Sequence, residues 1–285
     1  MPDSINRRNF VLSAAALAGA SWLDVPELLG RNQTTDEVYG GFRMGIQSFS
    51  LREFDVEETL RHVHDLGLNY IEFYGGHFEP THDKGEITIV DRSLAESNVR
   101  IQAHGVNAFN ADHERNKHLF WFARMAGIKT ITADPAPEAF DSLDELVRQF
   151  DIRVAIHNHG PGHRYDAPSD VLDAIEGRDE RIGACADLGH FIRSGVDPID
   201  ATYQLGNRLY GVHLKDYDSA GVEATETIIG DGVLDVQEFF DALNEVDFPA
   251  DGALSLEYEQ NPDDPIEDIR EGLQRAARAA QLAAA

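Results

Sequence analysis

Val154-Ala155-Ile156-His157-Asn158-His159-Gly160-Pro161-Gly162-His163 is the stretch on which the fold reading turns. Three apolar residues that favour β-structure run into a cluster of metal-capable side chains, and the run breaks at Gly-Pro-Gly. A buried parallel strand that ends at a polar pocket has this order: side chains that pack, side chains that do chemistry, then a turn. His157, His159 and His163 fall within seven residues of a chain with 12 histidines. A solvated, His-rich loop would read the same way in isolation. Other strands must end alike if this one is a wall of a site.

Outward from this stretch, short β-rich runs alternate with helical ones. Before it come 43–48 and a helix over 55–66, with Gly67 just past its end. Strands over 69–74, 99–106 and 128–133 follow, spaced by helices over 91–98, 112–126 and 142–150. The fifth strand, 152–158, is the opening stretch. After it come a helix over 168–175, a strand over 181–187, a helix over 197–205 and a strand over 209–216. A helix over 235–244, a strand over 252–257 and an Ala-rich helix over 264–284 close the chain. Eight β/α units over roughly 245 residues fit the size of a (β/α)₈ TIM barrel in the α/β class. A doubly wound open sheet competes, but it calls for a Gly-rich phosphate turn after its first strand. Here Gln47-Ser48-Phe49-Ser50 stands at that place.

A barrel gathers reactive groups at the carboxyl ends of its strands. The second strand carries Glu72, the third His104, the fifth His157 and His159. The sixth ends Asp187-Leu188-Gly189-His190. The seventh carries His213 and Lys215 on one face by alternation, with Asp216 on the other. The last ends at Glu257, with Glu259 beyond. A single strand-end Asp is commonly a helix cap, and a single buried His a packed core residue. Metal-capable residues on four successive strands exceed what capping explains. Phe49 and Tyr74, at the ends of the first two strands, are placed to stack on a ring or to pack. His77, His82 and Asp83 read as solvated loop residues.

Bulk composition narrows the classes. The net charge is −27, with 24 basic residues of which only Lys84, Lys117, Lys129 and Lys215 are lysine. That acidity argues against nucleic acid, which needs a basic footprint. Spread along the chain, it reads as halophilic adaptation, with salt screening the self-repulsion. The single cysteine, Cys185, cannot make an internal disulfide and reads as a small buried hydrophobe. Asn6-Arg7-Arg8-Asn9-Phe10-Val11-Leu12, then an Ala-rich run to Ala18-Gly19-Ala20, resembles a twin-arginine export signal with its cleavage site. The apolar run is too short to span a membrane comfortably. Residues 1–40 are therefore read as signal and linker and 41–285 as the barrel domain. That predicts an exported protein, or a cytoplasmic one if the signal is unused. No stable membrane insertion is expected, and a homo-oligomer is compatible with the chain.

Four pieces carry a family resemblance: Asp187-x-x-His190, Gly211-Val212-His213-Leu214-Lys215-Asp216, the Gly230-Asp231-Gly232-x-Leu234-Asp235 turn, and Leu256-Glu257. In this order on successive strands they resemble the sugar phosphate isomerase/epimerase superfamily, the xylose isomerase-like TIM barrels. The resemblance covers about residues 42–280. It implies one divalent metal held by His157, Asp187, His213 and Glu257, with His190 facing substrate. The family often reads Glu-Asn-His at the fifth strand, where this chain reads His157-Asn158-His159. The implied His₂-Asp-Glu set suits Mn, Zn, Co or Fe better than Mg. It implies catalytic roles among Glu257, His190, Lys215 and His157. His159 is a further candidate acid, and His104, His159 and Glu72 are placed toward the substrate by their strand positions. The activity so implied is isomerisation or epimerisation of a free sugar or sugar derivative through an enediolate. Replacing one glutamate by His157 unsettles a symmetric two-base scheme, so dehydration or β-elimination of a keto-sugar or inosose is the alternative. A non-catalytic sugar-binding barrel is a third reading. Endonuclease chemistry is a fourth, opposed by the acidic charge and the missing fifth-strand glutamate.

Overall fold

The computed structural model describes residues 35–285. The twin-arginine reading falls on residues outside that range. The strands are β1 (Met44–Gln47), β2 (Tyr70–Phe73), β3 (Arg100–Phe109), β4 (Thr130–Pro135), β5 (Arg153–His157), β6 (Ile182–Asp187), β7 (Leu209–Leu214), β8 (Asp216–Tyr217), β9 (Glu226–Thr227) and β10 (Ala253–Leu256). The helices are α1 (Thr35–Val38), α2 (Val56–Asp65), α3 (Lys84–Glu96), α4 (His113–Met125), α5 (Phe140–Phe150), α6 (Pro168–Ile175), α7 (Leu188–Arg193), α8 (Pro198–Leu205), α9 (Val236–Glu245) and α10 (Ile266–Ala283). Eight strands close in the order β1-β10-β7-β6-β5-β4-β3-β2, parallel at each pairing. The (β/α)₈ barrel expected from the sequence is the fold.

Strand alternation sorts the core into two compartments. Val154 and Ile156 on β5, Val212 and Leu214 on β7, and Leu254 and Leu256 on β10 join the large cluster beneath the helices. Ala155, Cys185 and Tyr210 form a separate small cluster. Ala155 and Cys185 are small, and His157 and Asp187 stand two residues on in the same rows, at their upper end. Cys185 is buried, as its apolar run implied, and burial raises its thiol pKa.

Acidic residues perform local work. Asp55, Asp83, Asp112, Asp187, Asp197 and Asp235 each cap a helix, accepting from backbone N–H groups of the first turn. Gly67 and Gly127 follow α2 and α4 with φ of +79° and +73°, the left-handed stop that favours glycine.

Three departures from the sequence reading have local causes. The helix expected over 91–98 is α3, which starts seven residues earlier because Asp83 caps it through Gly85 N. The hairpin β8–β9 and the short helix α7 went unforeseen, being too brief to show periodicity. The expected linker ends inside the folded body: Val38 and Tyr39 are fully buried, and Val38 O accepts from Gln281 on α10.

Candidate metal centre and active-site cavity

Four strand ends bring His157, Asp187, His213 and Glu257 together, with one ligand atom from each inside a 4.8 Å cluster. His157 Nε2 lies 3.1 Å from His213 Nδ1 and 3.4 Å from Asp187 Oδ2. His213 Nδ1 lies 2.9 Å from Glu257 Oε2 and 3.8 Å from Asp187 Oδ2. The register explains the convergence. His157 pairs with Cys185, Asp187 with His213, and His213 with Ser255, two residues before Glu257.

Asp187 and His157 are in the states a cation needs. Burial works to lower the His213 pKa, but Cys185, Glu72 and Glu257 hold it well above the ordinary imidazole value, so this ligand must give up its Nδ1 proton on binding. Asp187 Oδ2 is shut from solvent and accepts no hydrogen bond. Burial pushes His157 down to about 3 against the opposing pull of Asp187, so its imidazole is neutral. Imidazole and carboxylate are ligands for Mn, Zn, Co and Fe. The residues present therefore fit a divalent metal.

A second layer orients the first. Glu72 accepts from His213 Nε2 at 3.1 Å, Thr132 Oγ1 at 2.7 Å and Ser255 Oγ at 2.9 Å. Burial works to raise its pKa, but His213 and these donors hold it below the ordinary carboxylate range. Its bond fixes His213 with Nδ1 toward the cluster. Asn158 ties the strand ends by donating to Asp187 O at 2.9 Å and accepting from Asp187 N at 2.7 Å.

Above the cluster a cavity of about 250 Å³ opens, walled by Phe49, Tyr74, Val106, His159, His190, Lys215 and Glu259, with His157 and Glu257 at its base. That is smaller than the pockets of drug-sized ligands and on the scale of one sugar ring. Phe49 and Tyr74 meet edge to face at 5.4 Å. Lys215 is buried, its Nζ 3.3 Å from Asp187 Oδ2, 3.1 Å from Glu257 Oε2 and paired with Glu259. Burial would lower its pKa, but these carboxylates hold the ammonium well above its ordinary value. His190 Nδ1 is buried without a hydrogen-bond partner, and burial lowers this imidazole's pKa.

Two residues expected to face substrate lie elsewhere. Glu72 sits beneath His213, inside the barrel, and is fully buried. His104 turns to the helix layer, where it bonds Phe78 O at 2.7 Å and packs edge-on against Phe122. The cause is a register shift between β2 and β3, where Ile71 pairs Ile101 but Glu72 pairs Ala103. The irregularity breaks the alternation that would have turned His104 inward.

Sequence reasoning assigned no role to Glu226, no working role to Glu259 and left Asp216 undecided. Asp216 clamps the Gly-Asp-Gly turn: Oδ2 accepts from Gly230 N at 2.9 Å and Gly232 N at 3.0 Å, and Oδ1 from Leu234 N at 3.0 Å. The pairing of an Asp after a strand with a later Gly-x-Gly was the available signal. Glu226, on β9, accepts from Glu259 N at 3.0 Å and has Oε1 buried without a partner. Burial pushes it up to about 7, with Glu259 and Glu257 adding and Lys215 opposing. The folded state keeps this proton where the unfolded chain has released it, so stability falls as pH rises from about 4.5 to about 7. Glu226→Gln in chelator-treated protein is expected to match the wild type near pH 4.5. At pH 8 it should be more stable by on the order of 1–3 kcal/mol, read by urea unfolding. An equal gap at both pH values would show that Glu226 is not held protonated.

A closed β/α barrel with metal-capable side chains on adjacent strand ends defines a class, the barrels that keep their chemistry at that mouth. Within it, this chain belongs to the xylose isomerase-like TIM barrel family, whose match covers residues 60–279. Among curated proteins it is 29% identical over 159 residues to the rhizopine catabolism protein MocC of Rhizobium meliloti, covering 50% of this chain and 48% of that protein. It is 26% identical over 141 residues to inosose dehydratase of Clostridium perfringens, covering 44% and 46%. The chain thus spans about half the length of the curated relatives it matches. A solved structure from Parabacteroides distasonis, of a protein without assigned function, superposes with a TM-score of 0.64 at 28% identity, over 82% of this chain and 97% of that one. A D-tagatose 3-epimerase-like protein gives 0.68 at 16% identity, over 86% and 100%, and shows the fold alone. Among the described residues no helix is long and apolar enough to cross a membrane.

Proposed function

We propose that the protein is a divalent-metal-dependent isomerase or epimerase of a free sugar or sugar derivative, working through an enediolate-type intermediate. The observation that carries this reading is the four-donor cluster at the base of a cavity of sugar-ring size. A bound divalent cation supplies polarisation of a carbonyl and stabilises the charge that develops on its oxygen. His157, Asp187, His213 and Glu257 are the residues to hold it.

The chain's own groups divide the remaining work. Glu257 is the base that removes a proton from the carbon beside the carbonyl. Lys215 is kept protonated by its carboxylate neighbours, so it donates hydrogen bonds toward negative charge. His190 lines the cavity, its Nε2 4.0 Å from Asp187 Oδ2, and is the group to carry a proton to or from substrate. His157 turns Nε2 toward the cluster and keeps Nδ1 sealed from solvent, which suits a ligand and not a second base. His159, with Phe49 and Tyr74, walls the substrate. One carboxylate base takes and returns a proton on the same face, which favours isomerisation over two-base inversion.

Dehydration is the second reading. Its first step is the same, and the β-hydroxyl then leaves as water with a proton from His190. The curated inosose dehydratases and the single-base layout favour it. The twin-arginine-like stretch over residues 6–20 favours an exported enzyme and hence an unphosphorylated substrate.

The deciding experiment incubates the metal-loaded protein with free sugars, inososes and 3-keto-glycosides in D₂O. Deuterium at one carbon of an isomerised product supports the first reading, and loss of water to an enone with no solvent deuterium on the carbon that gave up its proton supports the second. A protein that takes up no stoichiometric divalent metal under any loading condition would sink both.

A further inference from the structure

We propose that Asp134, His159 and His163 form a second site for a zinc-class divalent cation, on the rim of the same cavity. One ligand atom from each lies within a 4.8 Å cluster, and none of the three belongs to the first cluster. Asp134 Oδ2 stands 4.0 Å from Nε2 of His159 and 4.0 Å from Nε2 of His163. The two imidazole rings are 4.2 Å apart between centroids. Asp134 Oδ1 is closed to solvent and accepts no hydrogen bond. The nearest cation, Arg164, is 4.0 Å from that oxygen and gives a hydrogen bond to Pro135 O instead.

The loop after β5 is folded to present this set. His159 N donates to Tyr165 O at 2.8 Å, and His163 N to Gly160 O at 3.2 Å. Gly162 takes φ of +82° and donates to Asp166 Oδ2, which reverses the chain between the two histidines. Buried Tyr165 anchors the loop to the end of β4 through Pro135 O at 2.7 Å, beside Asp134. Two imidazole nitrogens and one carboxylate select zinc, cobalt or nickel over magnesium, and three protein ligands leave a position open. Metal–ligand bonds of about 2.0–2.2 Å at tetrahedral angles place donors roughly 3.3 Å apart, so the 4.0 Å edges must contract. His163, with 44% of its side chain exposed, is free to make that move. The His159 ring lies 4.7 Å from that of His157, so this cation would flank the substrate cavity and pin the loop that forms its wall.

The test counts metal on the full chain. Protein stripped with chelator, reloaded with cobalt(II) and desalted is measured by elemental analysis and by its visible d–d absorption. The wild type should hold about two equivalents, and His163→Ala and Asp134→Asn about one each with unchanged melting of the stripped proteins. Asp187→Asn should also hold about one, with the His163-dependent band intact. A wild type that saturates at one equivalent, untouched by His163→Ala and lost in Asp187→Asn, would overturn the second site and leave the proposed function standing. One equivalent lost in His163→Ala and kept in Asp187→Asn would support the second site and remove the first. An excess over one equivalent that survives both His163→Ala and Asp134→Asn would assign the extra metal to other surface groups and reject the second site.

Discussion

Glu257→Gln is expected to leave a folded barrel that still takes up metal while proton transfer slows by about 10²–10⁴-fold. The side chain is nearly buried, and Oε2 contacts His213 Nδ1 at 2.9 Å and Lys215 Nζ at 3.1 Å. Burial would raise its pKa, but Lys215 and His213 together bring it down to about 2. The carboxylate is therefore ionised throughout the neutral range. Glutamine keeps the shape and one ligand oxygen but cannot take a proton from carbon. Solvent deuterium incorporation by the metal-loaded variant, beside its metal content, reads the two functions separately. Exchange within tenfold of the wild type would move the base to another residue.

Asp187→Asn has the larger effect on the metal itself. Its Oδ2 is the point on which Lys215, His157, His213 and His190 converge, between 3.3 and 4.0 Å. Its Oδ1 meanwhile caps α7, accepting from His190 N at 2.7 Å. Asparagine can keep the cap and so the helix, but it removes the negative charge from the centre of the cluster. Affinity of the first site should fall by more than the 10–100-fold typical of losing an outer-layer partner, and turnover with it. Chelator competition measures the affinity. A variant that binds metal as the wild type does would remove Asp187 from the ligand set.

Much of this site was readable because chemistry and strand period coincide. His157, Asp187, His213 and Glu257 each stand at a strand end, which brought them to one mouth, and the family resemblance singled them out as one set. The same logic misplaced His104, because a register shift in the β2–β3 pairing leaves no mark on composition. It also misjudged Glu72, a strand-end acid by position but an internal partner of His213 by contact. Glu226 and the β8–β9 hairpin were invisible, since two-residue strands carry no period. The loop histidines were noticed for their density. Their grouping with Asp134 required knowing that Tyr165 brings the loop back to β4.

The Asn158–Asp187 tie holds β5 to β6 through main-chain atoms on the Asp187 side. It makes no use of the side chain at position 157. The spacing of the two strand ends is thereby insulated from whatever group stands one residue earlier. Such a mount lets a lineage exchange the reactive head at 157, carboxylate for imidazole, without re-registering the barrel. Diversity of reaction on one scaffold can then accumulate by single replacements, each tried against an unchanged frame.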